Sequence, residues 1–174
     1  IELLQSIGRV DDAIQQYVDL ANVYYLLAEM DITRQTYQSA LALAQKSTSI
    51  REWSIKILNK LADIELQSLD WKEAINHFEQ IRSLDGIDPA PRAMLIDLYL
   101  RIGLPAAAMN ELDGYLKILA TTGNPSKAAA FLDELLKERP ENLEIQKRLV
   151  SYYRAKDGLP FAIEKLDALA EKSL

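Results

Sequence analysis

His77 is the only histidine of the chain, and there is no cysteine. A structural or catalytic zinc site needs about three or four nitrogen, sulfur or carboxylate ligands. General-base catalysis by His77 would need a nucleophile and an orienting partner beside it. His77 sits in the helical segment 71–84 next to Phe78, so it reads as a surface or packing residue. Asp85, Gly86 and Asp88 share one turn, but a calcium loop spreads its oxygen ligands over about twelve residues. That turn reads as a helix stop followed by a helix cap. No HExxH, CxxC, GxxxxGK or GxGxxG occurs. The expectation is no catalytic residue, no metal, no cofactor, and a chain that is not an enzyme.

Among the carboxylates, Glu65 stands out. It lies within the helix expected over 50–69. Buried, it would need a partner such as a lysine or a tyrosine hydroxyl. The expected placement is a helix edge with the head group in water. Aromatics cluster as Tyr24-Tyr25 and Tyr152-Tyr153, with Trp53 and Trp71 flanking the helix between them. Neighbours on a helix diverge by about 100°, so one tyrosine of each pair can enter the core while the other faces outward.

The elements that would position these groups are all helices. Pro89 follows Asp88, Pro105 follows Gly103-Leu104, Pro125 follows Asn124 and Pro160 follows Gly158-Leu159. Proline in a first helical turn loses nothing, because its missing N–H would have been unpaired there. Pro140 follows the charged turn Lys137-Glu138-Arg139 and stops a helix, and Asn142 can cap the next. Helices are expected at 9–29, 32–47, 50–69, 71–84, 89–102, 105–121, 125–138, 142–156 and 160–172, with 1–7 as the tail of another. No segment alternates in the manner of a strand. The segment 44–53 carries Ser, Thr and charges without an apolar stripe and reads as a flexible joint.

Two internal repeats organise these helices. Residues 1–21 align with 96–116 at an offset of 95, matching Ile1 with Ile96, Gly8 with Gly103 and Ala13 with Ala108. The offset carries on through Tyr37 with Leu132 and Ala40 with Leu135, after which the first copy has an insertion near 45–50. A second pattern, small-x3-large-x2-apolar, runs from Ala74, Phe78 and Ile81 to Ala108, Leu112 and Tyr115. Ala128, Leu132 and Leu135 repeat it after a shorter step of 20 residues, and Ala162, Leu166 and Leu169 follow after another 34. The small residue permits close approach of a neighbouring helix.

This pattern resembles the tetratricopeptide repeat, a helix-turn-helix unit of about 34 residues. The best copies are 55–88, 89–122 and 143–174. In the second, Tyr99, Gly103, Ala108 and Leu112 occupy the family's tyrosine, glycine, alanine and aromatic positions. The first has Glu65 in place of the tyrosine and Leu69 in place of the glycine. The resemblance implies an all-α fold: one antiparallel helix-pair solenoid over residues 1–174, a right-handed superhelix of about nine helices. It also implies a groove lined by the first helix of each pair. The lining residues would be Lys56, Asn59, Asp63 and Gln67, then Ala93, Asp97, Leu100 and Arg101, then Lys147, Ser151 and Arg154.

Composition is consistent with this picture. The net charge is −6; residues 1–88 carry 14 acids against 8 bases and residues 89–174 carry 12 against 12. A nucleic-acid footprint needs clustered Lys and Arg, so none is expected. No run approaches the roughly 20 apolar residues that cross a bilayer; the longest, Leu20–Met30, is broken by Asn22 and Glu29. The chain starts at Ile1 and shows no secretory signal, so a cytoplasmic piece of a longer protein is expected. The expected function is a protein-interaction scaffold that holds a peptide or helix in its groove. The alternatives are a sensor segment of a signalling or transcription-regulatory protein, or a spacer that self-associates through Leu3, Leu4, Ile163 and Leu166.

Overall fold

The computed structural model describes residues 1–123, 125–156, 163–164 and 167–168. Nine helices and no strand occur among them: α1 Glu2–Ser6, α2 Val10–Leu26, α3 Met30–Ala44, α4 Ile50–Gln67, α5 Trp71–Leu84, α6 Pro89–Arg101, α7 Pro105–Thr121, α8 Pro125–Glu138 and α9 Leu143–Lys156. Most of the expected helix 160–172, and with it 14 of the 32 residues of the repeat 143–174, lies outside the described residues. No described helix is long and apolar enough to cross a membrane.

Helix starts follow local chemistry. Asp70 accepts from the Glu73 N–H, Asp88 from Ala90 and Asn142 from Ile145, each relieving an amide that the first turn leaves unpaired. Pro89, Pro105 and Pro125 each begin a helix.

Helix ends follow a second rule. Five residues adopt left-handed backbone: Gly8 (φ 75°), Ala28 (φ 60°), Leu69 (φ 59°), Gly103 (φ 77°) and Gly123 (φ 70°). Five positions after each comes a buried small side chain: Ala13, Thr33, Ala74, Ala108 and Ala128. After α1, α2 and α4 the turn is closed by paired bonds. Arg9, Glu29 and Asp70 donate to Leu4, Tyr24 and Glu65, while Gly8, Ala28 and Leu69 donate to Gln5, Tyr25 and Leu66. That pairing satisfies carbonyls that would otherwise end the helix unpaired. It also stops α2 at Leu26, short of the expected end at 29.

The chain divides into two compact units, Ile1–Ile102 and Gly103–Leu174. In the first, each helix packs on its neighbours in chain order, most extensively α2 on α3 and α4 on α5. One core gathers Ala13, Ile14, Val18, Tyr37, Ala40, Ile57 and Leu61; the next gathers Leu58, Ala62, Ala74, Phe78, Ile81, Leu95 and Leu98. Of the segment 44–53 expected as a joint, Ile50–Trp53 begin α4, and the loop 45–49 lies inside this unit and is tied to α2. Ser47 Oγ donates to Asp11, as does Trp53 Nε1 at 2.9 Å. In the second unit Tyr115 meets Phe131 edge-on, with centroids 4.8 Å apart. Arg148 of α9 grips Asp113 of α7 through Nε at 2.6 Å and a terminal nitrogen at 2.8 Å.

Two outcomes follow. Left-handed backbone costs an L-residue about 1–2 kcal/mol, and glycine returns part of that gain through unfolded-state entropy. Leu69→Gly, at a side chain open to solvent, raises stability by about 0.5–1 kcal/mol, read as a higher urea midpoint with unchanged slope. The Arg148 hydrogen bond holds the Asp113 carboxyl below the ordinary range. A depressed folded value contributes stability above the unfolded value of about 3.9, lost as pH falls through the folded one. Asp113 is half exposed, so Asp113→Asn costs at most about 1 kcal/mol at pH 7, and the difference from the parent vanishes in acid.

Candidate functional site

α2 and α4 are the first helices of successive pairs, and their side chains meet along their length. Trp53 Nε1 donates to Asp11, Lys56 Nζ to Gln15 Oε1 at 3.1 Å, and Tyr25 Oη to Gln67 Oε1 at 2.7 Å. The partners are separated in sequence by 42, 41 and 42 positions respectively. A near-constant offset means that the two helices run in the same direction. The same spacing carries Ala28 to Leu69 and Thr33 to Ala74. It is one repeat of the family's length, extended by the insertion near 45–50.

Between these helices lies a pocket of about 100 Å³ lined by Asn22, Tyr25, Tyr37, Lys60, Asp63, Ile64 and Gln67. Tyr37 of α3 forms its floor and donates to Asn22 Oδ1 at 2.7 Å. Burial pushes the Tyr37 hydroxyl up, and the nearby Asp63 charge acts the same way. Tyr37 is therefore a fixed donor at neutral pH. The rim offers two carboxamides, one cation and one anion. It can hold a polar side chain or a stretch of peptide backbone, but the volume is below the ~300–1,000 Å³ of a drug-sized site.

Of the residues expected on α4, Asp63 and Gln67 line this pocket. Lys56 lies over the Trp53 ring, 4.7 Å from its centroid, and Asn59 donates to the Ile55 carbonyl of its own helix. On α6, Ala93 and Leu100 are half-buried, Asp97 pairs with Arg101, and the Arg101 guanidinium lies 5.8 Å from the Trp71 ring. On α9, in the other unit, Lys147, Ser151 and Arg154 are exposed, with Lys147 on Glu144 at 2.7 Å. The stripe on α2 — Gln15, Asn22 and Tyr25 — escapes sequence reasoning. The match of Ala13 with Ala108 assigns α2 as the second helix of a pair, whereas α2 also serves as the first helix of the next. The spacing of Thr33 and Ala74 is the available signal.

Glu65 corrects the expectation of a solvated helix edge. It is buried and binds Arg34 of α3 through both oxygens, at 2.8 and 3.1 Å, while Arg34 also donates to Ser68 at 2.8 Å. The Glu65 hydrogen bond raises the Arg34 guanidinium further. A planar fork suits a buried carboxylate better than a lysine or hydroxyl would. His77 is half-buried with its Nδ1 enclosed, and burial lowers its basicity, so it stays neutral at pH 7. Of the end-helix residues, Leu3 is exposed and Leu4 packs on the first core. Ile163 is half exposed, and Leu166 lies outside the described residues.

Two models of the tetratricopeptide repeat match the sequence, over residues 12–85 and 65–122, and so jointly over 12–122. The chain belongs to the tetratricopeptide repeat family. Members of this family serve in general as protein-interaction scaffolds, and their helix-pair architecture is the one seen here. The crystal structure of MamA matches with a TM-score of 0.52 at 15% identity, covering 93% of this chain and 92% of that one. YrrB, described as a tetratricopeptide protein with an unusual peptide-binding site, matches at 0.46 and 17%, covering 93% and 91%. A tetratricopeptide repeat protein from Parabacteroides merdae matches at 0.49 and 15%, covering 98% and 71%. No curated protein sequence matches the chain. Within the family, Glu65 replaces the tyrosine, and Ala28 and Leu69 supply left-handed turns without glycine.

Removing one partner of a buried ion pair strands the other's charge and costs about 3–5 kcal/mol. Arg34 is a quarter exposed and recovers part of that through hydration. Glu65→Ala therefore destabilises by about 2–4 kcal/mol in urea titration. The double variant Arg34→Met, Glu65→Leu regains most of the loss, because neither charge remains.

Proposed function

We propose that this chain is a non-catalytic interaction module that holds a peptide or short helix against the first helices of its pairs. The observation that carries the reading is the polar pocket between α2 and α4, set in a face where both helices run in parallel. Asn22 and Gln67 each combine a donor and an acceptor, the pair of functions that a peptide bond presents. Lys60 and Asp63 add one charge of each sign, which favours a partner with a polar or charged side chain between its backbone contacts. The buried Tyr37 hydroxyl orients Asn22, so part of the cost of fixing that side chain is met before binding.

The groove would continue along Ala93, Asp97, Leu100 and Arg101, with Lys147, Ser151 and Arg154 as the corresponding stripe of the second unit. In this reading the repeat units are 55–88, 89–122 and 143–174. The partner is a protein segment rather than a nucleic acid, and the setting is the cytoplasm.

The test uses peptides selected from a displayed random library on the native chain. Asn22→Ala with Gln67→Ala weakens the selected peptides by about tenfold or more, or about 1.4 kcal/mol, with an unchanged circular dichroism spectrum. Asp97→Lys with Arg101→Glu shows whether the peptide extends onto α6. Full binding by both double variants would move the site off this face.

A further inference from the structure

Each carboxamide in the pocket between α2 and α4 is oriented by a tyrosine. Tyr37 donates its hydroxyl proton to Asn22 Oδ1, and Tyr25 donates to Gln67 Oε1. With both oxygens turned toward tyrosines, the two NH2 groups are left for the pocket. Neither nitrogen binds another described group. Burial keeps the Tyr37 hydroxyl protonated, so its donor role holds at neutral pH.

Two lining groups are charged. Lys60 and Asp63, both exposed on α4, form no ion pair with each other or with another described residue. Further along the same face, Lys56 donates to Gln15, and Gln15 donates to Asp19. These two cations and two anions cancel, so the surroundings favour neither sign of ligand.

Three donor groups therefore face one acceptor: two NH2 groups and the Lys60 ammonium against the Asp63 carboxylate. A carboxylate ligand would accept from the donors but set its charge against Asp63. An ammonium or guanidinium would donate to Asp63 but meet Lys60 and two NH2 groups with no acceptor of its own. Each mismatch leaves polar groups unpaired or like charges close together. A primary carboxamide avoids both, since its oxygen accepts and its nitrogen donates.

Shape separates a side-chain carboxamide from a peptide bond. A trans peptide sets its C=O and N–H on opposite sides, with chain continuing at both ends. A side-chain carboxamide terminates in both groups, and a hollow of about 100 Å³ suits such an end. Ile64, buried at its edge, offers an apolar wall to the methylenes. All the lining residues belong to α2, α3 and α4, within the first unit.

We propose, resting on the groove reading above, that this hollow takes one glutamine or asparagine side chain of the bound protein segment. The donors on Asn22, Gln67 and Lys60 serve its oxygen, and Asp63 accepts from its nitrogen.

The test uses peptides from a displayed random library that the native chain retains and the Asn22→Ala, Gln67→Ala chain does not. Those peptides share a glutamine or asparagine at one position. Synthetic copies carrying Gln, Glu or Lys there are compared by fluorescence anisotropy. On the native chain the Glu and Lys copies bind about tenfold or more weakly than the Gln copy. Asp63→Asn removes the repulsion, and on that chain the Glu copy binds at least as tightly as the Gln copy. Circular dichroism confirms that the variants are folded. A recovered set without a shared Gln or Asn overturns the proposal. Equal or tighter binding of the Glu or Lys copy on the native chain does so too, as does an unchanged order on the Asp63→Asn chain. Those results leave the groove standing, because the peptides still depend on Asn22 and Gln67. Recovery of no peptide that depends on these two residues removes the groove and its specificity together.

Discussion

Close approach of helix backbones is the constraint on which the rest depends. At Ala13, Thr33, Ala74 and Ala108 the side chain is fully buried and small, so the neighbouring helix can come near enough for its larger residues to interlock. The left-handed residue five positions earlier aims the chain into that contact. Turn and small residue thus act as one device, repeated from Gly8 with Ala13 through to Gly123 with Ala128. Thr33 keeps the device working with a hydroxyl by donating to the Glu29 carbonyl of its own helix. No polar group is then left bare at that contact.

The candidate groove is a by-product of that regularity. Because the turns at Ala28 and Leu69 repeat one another after a whole helix pair, α2 and α4 come out parallel, and positions on one meet equivalent positions on the other. The insertion near 45–50 falls between pairs, where it lengthens the spacing without turning either helix. Asp11 accepts from both Ser47 and Trp53 and holds the lengthened loop at one end of the face. The Tyr25–Gln67 bond closes the other end beside the pocket.

Local signals make much of this legible in the sequence. Pro89, Pro105 and Asp88 mark helix starts because they act within one turn of themselves, and the buried stripe Ala74, Phe78, Ile81 shows as a helical period. What stays hidden depends on distance or on strain. Arg34 and Glu65 lie on different helices, and nothing in either segment announces the other. Burial of Glu65 follows only once α3 and α4 are side by side. Ala28 and Leu69 occupy backbone that their residue types disfavour, so propensity points away from those turns and runs α2 past its true end. The groove stripe on α2 escapes because one helix belongs to two successive contacts, and a periodic pattern assigns it to the first.

Neighbour-only packing has a further consequence, for how the chain reaches this structure. In the first unit the main contacts join helices adjacent in sequence, and the ties from α2 to α4 reach only one helix pair further. Topologies of such low contact order fold fast, because little loop entropy is lost before a contact forms. A ribosome releases residues at about 5–20 per second, far more slowly than a helix pair closes. Each pair can therefore settle as it emerges, using its predecessor as a template, and no apolar stripe in this unit has to wait for a partner from the far end of the chain.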